Sequence, residues 1–342
     1  MATPALLRTA HASGLAAVER ELQALNQARL RQGDEGRGIR LSVLTLVVAC
    51  TDARAADMAA EVVAEISAEH PARALLVVAD PAAPSGIEAD LSLQCSVAQG
   101  SDQVCAETVR LTAGGEAALH LGSVVAPLLV PDVPVQLWLC GAPDLTQALA
   151  PETLAICERI ILDSAAYPDP GRVLRRLARI PAGPDGGIPV SDLAWARLAP
   201  WRELLARAFD AASRRPFLRG VESVTVRTTG PPVSSDALLL AGWLADRLGA
   251  AVEVDPGAAG PAPGLVAAIL EARAGESRLR AEVGREPGEL VIRIAIDGVA
   301  ERSPKVADEP PRLAELVGAA LQEQGQDAVY AAALRAALAL TQ

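Results

Sequence analysis

The feature that most constrains this chain is the run Leu41-Ser-Val-Leu-Thr-Leu-Val-Val-Ala-Cys50. It is almost continuously apolar and rich in β-branched side chains, so it offers no polar face to water. A strand of this kind is covered on both faces, as in a parallel sheet flanked by helices. Residues 74–78 read as a second buried strand, and residues 135–139 and 159–162 as two more. Between the first two, Met58, Val62, Val63 and Ile66 keep helical spacing, with Thr51 placed to cap the helix and His70-Pro71 to stop it. Residues 87–97 and 104–111 alternate instead, which predicts a half-buried antiparallel pair. A polar helix over residues 14–31, the glycine-rich turn from Gly33 to Gly38, and helices near 117–129 and 145–154 complete this half.

Residues 181–187, Pro-Ala-Gly-Pro-Asp-Gly-Gly, form the best linker. Beyond it, Ser191-Asp192 begins a helical stretch that Pro200 must break or restart. There follow a strand (221–227), a helix (235–248) closed by Gly249, two alternating strands (265–272 and 278–283), a further strand (289–296) and two terminal helices. Strands interleaved with helices give α/β architecture in both halves. The expectation is therefore two α/β domains, 1–182 and 188–342. The first has a mixed sheet with buried parallel strands flanked by helices.

The net charge of -11 argues against a nucleic-acid partner, because such proteins carry a basic excess that releases counterions from phosphate. No apolar run approaches the ~18 residues of a membrane span, and residues 1–25 show no secretory pattern. Cys50, Cys95, Cys105, Cys140 and Cys157 are odd in number, form no CxxC pair and suit reduced thiols of a cytoplasmic protein.

Catalytic constellations are scarce. Lys305 is the one lysine, so no P-loop lysine precedes it. His11, His70 and His120 are the histidines, and none has the i, i+4 partner of a helical metal site. There is no GxSxG elbow and no GxGxxG after the first strand. No cofactor is expected. Thr51, Asp52, Asp80, Gly141, Asp163 and Ser164 stand at strand ends, where open α/β sheets bind ligands. They serve either as helix caps or as the carboxylates of a sugar-phosphate enzyme or sensor.

Two groups point to partner recognition. Arg172, Arg175, Arg176 and Arg179 share one helical face, which is either solvated or docks an acidic surface or phosphate. The segment 191–210 holds Trp195 and Trp201 beside Arg197 and Arg202, in a chain that is 2% aromatic. Trp and Arg dominate interface hot spots, yet Trp201, Leu204, Leu205 and Phe209 also have core spacing.

At this segment the chain resembles the glucose-6-phosphate dehydrogenase assembly protein (OpcA) family. Its D-L-x-W-x-R-L-x-P-W-R-E-L-L run is matched from Asp192 to Leu205. Also similar are His70-Pro-Ala-Arg73, Cys105-Ala-Glu-Thr-Val-Arg110, Pro127-Leu-Leu-Val-Pro-Asp-Val-Pro134, Ile161-Leu-Asp-Ser164 with Pro168-Asp-Pro170, and Leu240-Ala-Gly-Trp-Leu-Ala-Asp-Arg-Leu248, all in the family's order. The resemblance implies a non-enzymatic assembly factor or allosteric activator that binds glucose-6-phosphate dehydrogenase in the pentose phosphate pathway. Redox-responsive cysteines near the C-terminus, described for photosynthetic members, have no counterpart after Cys157.

Overall fold

The computed structural model describes every residue except 1–4, 34–38, 41, 98–102, 181–186, 259–263, 302–303 and 342. For residues 5–8, 25–26, 28–33, 39–40, 94–97 and 103–105 it describes the backbone alone. Most of the turn expected at 33–38 and of the linker at 181–187 thus lies outside the described residues.

In chain order the first elements are β1 (Ala5–Ser13), α1 (Leu15–Gly33), β2 (Ile39–Arg40), β3 (Leu44–Cys50), α2 (Ala53–Ile66), β4 (Ala72–Asp80), β5 (Gly86–Val97) and β6 (Gln103–Gly114). Then come α3 (Leu121–Val125), β7 (Val135–Cys140), α4 (Leu145–Ala148), α5 (Pro151–Leu154), β8 (Arg159–Leu162), α6 (Pro170–Leu177) and β9 (Val190–Asp192). The rest are α7 (Leu193–Arg197), α8 (Ala199–Arg207), β10 (Val221–Thr229), α9 (Ser235–Leu248), β11 (Val252–Asp255), β12 (Gly264–Ala274), β13 (Ser277–Glu286), β14 (Glu289–Ile296), β15 (Val299–Ala300), β16 (Lys305–Ala307), α10 (Leu313–Gln322) and α11 (Ala328–Ala339).

The chain is α/β and divides into two units. One comprises residues 1–163, 182–191 and 312–325; the other comprises 164–181, 192–311 and 326–342. The sequence placed one boundary at the linker. The structure instead passes the chain between units several times, because burial assigns short segments to whichever core their apolar faces fit.

In the first unit the sheet runs β1-β5-β6-β4-β3-β7-β8-β9. The strands β6, β4, β3, β7 and β8 are mutually parallel, and β5 and β1 are added antiparallel. Every residue of β3, β7 and β8 is buried, as their mainly apolar sequences require, with Thr45, Gln136 and Arg159 buried among them. The helix α10, far along the chain, packs on α2 in this unit. Gln136 of β7 donates to Leu321 O at 3.4 Å, and the side chains of His70 and Gln322 meet at 3.3 Å.

Local departures from the sequence reading have simple causes. Asp52, not Thr51, caps α2, accepting from Ala55 N at 2.8 Å; Thr51 Oγ1 accepts from Ala142 N at 2.7 Å. The helix expected at 145–154 splits into α4 and α5, because Pro151 begins a new helical turn. The one expected at 117–129 shortens to α3 between 3-10 turns. His11 lies on β1, an edge strand the sequence reading missed, with Nδ1 2.9 Å from Asp90 Oδ1.

In the second unit the sheet runs β11-β10-β12-β13-β14-β15, with β16 also on β14. It is antiparallel except for the β10–β11 pair. The inward residues Val224, Val226, Ala268, Leu270, Ala281, Val283, Ile292 and Ile294 are buried, and α8 and α9 pack on the sheet. Farther out, α11 packs closely on α9. Gly242 permits this approach: a Cβ there would stand 2.2 Å from Ala333 O and 2.6 Å from Ala337 N. No helix among the described residues is long and apolar enough to cross a membrane.

Candidate protein-interaction site

The Trp/Arg segment folds as two short helices around its proline. Asp192 caps α7 by accepting from Ala194 N at 3.0 Å. Leu198 ends α7, and Pro200 sits in the first turn of α8, where a missing N–H costs nothing. The Asp192 carboxylate also accepts from Ser164 N at 3.1 Å and from the Tyr330 hydroxyl at 3.2 Å. Burial raises the Tyr330 pKa well above its ordinary value, with the Asp192 charge adding to the effect.

Both tryptophans lie inside this unit: Trp195 is 5% exposed and Trp201 2%. Leu204, Leu205 and Phe209 are buried beside them, and α8 packs on β13 and β14. The core spacing seen in the sequence is therefore realised. Trp195 donates through Nε1 to Asp327 Oδ2 at 2.9 Å, and its ring meets that of Tyr330 at 5.8 Å between centroids.

The arginines sit above these rings. The Arg202 guanidinium lies 3.6 Å from the Trp195 ring centroid, and that of Arg285 lies 5.7 Å from Trp201. Arg285 pairs with Asp308 at 2.5 Å. Burial lowers the Arg202 pKa, opposed by the charge of Asp327. Arg197 is half-buried.

In the same unit, Asp169 caps α6 by accepting from Arg172 N at 2.9 Å. The sequence reading offered Asp163-Ser164 as the cap; Ser164 instead begins a 3-10 turn ahead of it. Val173, Leu174 and Leu177 face inward, so Arg172 and Arg175 project to solvent from the opposite side. Arg176 is half-buried, and exposed Arg179 lies just past the helix end at Ala178.

The strand ends are built differently. Beyond β3, β4 and β7 a cavity of about 290 Å³ is lined by Cys50, Thr51, Pro81, Leu121, Asp144 and Gln147, among others. No Arg, Lys or His is among its lining residues. Asp144 caps α4, and Asp80 accepts from Ala82 N at 2.9 Å. A phosphate in this cavity would therefore meet one carboxylate, Asp144, already engaged as a cap, and no counter-cation among the lining residues. Cys50 and Cys140 are register partners on β3 and β7, buried and free, as is Cys157. The neighbouring Cys140 thiol, together with burial, pushes Cys50 up, and burial raises Cys157 to about 11, so neither is an activated nucleophile. Among the described residues no three His, Cys, Asp or Glu side chains are grouped to hold a metal.

These features define a two-unit α/β protein in which Arg202 and Arg285 lie over the rings of Trp195 and Trp201. Residues 45–179 match the family described as "Glucose-6-phosphate dehydrogenase subunit N-terminal domain", and residues 188–334 the corresponding C-terminal domain. The chain belongs to the OpcA glucose-6-phosphate dehydrogenase assembly family. It is similar to the putative OxPP cycle protein OpcA of Nostoc punctiforme, 34% identical over 187 residues, 54% of this chain and 39% of that one. The corresponding protein of Synechococcus elongatus is 31% identical over 188 residues, 54% of this chain and 41% of that one. The match thus spans about two fifths of the length of these relatives.

Proposed function

We propose that this chain acts by binding glucose-6-phosphate dehydrogenase in the cytoplasm and raising its activity, without catalysing a reaction itself. The observation that carries the reading is the arginine surface of the second unit. A chain of net charge -11 here exposes Arg172, Arg175 and Arg179 around a helix end, and seats Arg202 on Trp195. Each of these two sets of cationic groups on an acidic protein suits an acidic partner surface. Arg197 and Arg176 are both half-buried. Trp195 and Trp201 support the surface from beneath rather than touching the partner.

The physical mechanism is a population shift. A partner that binds the competent form of the enzyme better than the incompetent form raises activity by that difference in affinity. Steady-state kinetics of the cognate dehydrogenase, titrated with the purified chain, test this. A saturable rise in kcat/KM near stoichiometric amounts is expected. Unchanged kinetics together with no complex in size-exclusion light scattering would remove the reading.

A further inference from the structure

Arg202 is placed as few arginines are. Its guanidinium is partly taken out of water and lies on the indole of Trp195 at 3.6 Å. A desolvated cation ordinarily has a carboxylate against it, because an uncompensated charge in low dielectric costs several kcal/mol. The carboxylate whose charge acts on it, Asp327, is already committed. Its Oδ1 accepts from Val329 N at 2.8 Å and Tyr330 N at 3.0 Å, capping α11, while Oδ2 accepts from Trp195 Nε1 at 2.9 Å. Arg202 Nη2 reaches Trp195 O at 3.4 Å, a long bond, and Nε is buried with no acceptor among the described residues. The side chain is nevertheless not closed off, being half-buried.

The surroundings also hold the group still. Trp195 is fixed by its bond to Asp327 and by the Tyr330 ring, so the guanidinium rests on a rigid plane. A planar cation held on an aromatic platform, half-buried and with no carboxylate hydrogen-bonded to it among the described residues, is organised before its partner arrives. Its donor geometry fits the two oxygens of a carboxylate.

We propose that Arg202 is a preorganised receptor for an acidic side chain of the partner protein, with no carboxylate hydrogen-bonded to it in the free chain, so that this carboxylate comes from the complex. This rests on the reading that the partner is glucose-6-phosphate dehydrogenase.

The test uses the full chain and Arg202→Met, which keeps the apolar stem over Trp195 and removes the charge. Affinity for the cognate dehydrogenase is measured by calorimetry, and Tm of the free chain by scanning calorimetry. The expected result is at least a tenfold loss of affinity, the size of an interface hot spot. At the same time, Tm of the free variant stays level or rises by about 2–4 °C, since removing a strained functional charge stabilises. Unchanged affinity in a variant whose wild type binds overturns the proposal and leaves the activator reading standing. A wild type that does not bind overturns both. If Arg202→Met is poorly folded, Arg202→Lys decides: it keeps the charge and loses the fork, so a folded Lys variant that binds like wild type overturns the proposal and one that binds several-fold more weakly supports it. Free phosphate at millimolar concentration separates the two sources of anion: a larger rise in Tm for wild type than for Arg202→Met assigns the receptor to phosphate and overturns the protein carboxylate, and equal shifts support it.

Discussion

Arg159 in the first unit and Arg202 in the second are both removed from water, and burial lowers the pKa of each. Arg159, 5% exposed, donates to Ser191 Oγ at 2.8 Å, Glu323 Oε2 at 3.3 Å, Glu323 O at 2.8 Å and Gly325 O at 2.9 Å. It ties β8 to β9 and to the end of α10 within one unit. Arg202 has an indole beneath it, one long bond to a carbonyl and a bare Nε. The same residue type, with its pKa lowered by burial in both places, is thus a structural tie in one and an open receptor in the other. Arg159 is fully buried and Arg202 half-buried, and the supply of internal acceptors separates them further.

The comparison breaks most sharply at Arg159. Arg159→Met leaves Glu323 and two carbonyls without their cation, and should cost about 2–4 kcal/mol in urea denaturation, because a buried arginine with four acceptors is removed while Glu323, half exposed, regains water. A loss below about 1 kcal/mol would put Arg159 in the same class as Arg202 and dissolve the contrast. Next in size is Trp195→Phe. It shrinks the platform and deprives Asp327 Oδ2 of its indole donor, for an expected cost of about 1–3 kcal/mol. Partner affinity should fall with it, since the guanidinium loses its seat. Wild-type affinity in a destabilised Trp195→Phe chain would mean that Arg202 needs no platform.

Tyr330→Phe should be milder, about 1 kcal/mol at neutral pH, since one bond to Asp192 is lost. It also has a pH signature. The folded pKa of Tyr330 lies well above the ordinary 10.0, so its contribution is complete below pH 10 and is lost as pH rises from there towards the folded value. Stability measured between pH 9 and 11 should therefore decline less steeply in the variant; parallel curves would show that the folded pKa of Tyr330 is not raised. The smallest effect is at His11, on the open edge of the first sheet. The bond to Asp90 raises its pKa above 6.5, with the charge of Glu88 adding to the effect. Any stability it lends is present below pH 6.5 and fades as pH rises through the folded value. A histidine NMR titration giving a value at or below 6.5 would show the edge contact to be absent in solution.

Much of the architecture was legible because its signals are local. The apolar runs of β3 and β7, the alternation of β5 and β6, and Gly249 ending α9 in the left-handed conformation all report their own surroundings. The paired reading of Trp195 and Trp201 stayed open, since helical spacing does not say which side of a helix is covered. The pairing of Trp195 with Asp327 and Tyr330 depends on residues more than 130 positions away. No local pattern carries that information. The same holds for the joining of α10 to α2, and for β1, whose polar, alanine-rich sequence becomes a strand by adding to an existing edge. The basic set 172–179 was visible as a helical face, but its division into exposed, half-buried and post-helical members required the end of α6 at Leu177.

The repeated exchange of short segments between the two units has a consequence for how the chain is made. Residues 312–325 complete the first core, yet a ribosome delivers them only after most of the second has emerged. Residues 164–181, made early, wait in turn for the core they complete. Division at the glycine-rich stretch would yield two fragments, each carrying a segment that belongs to the other unit.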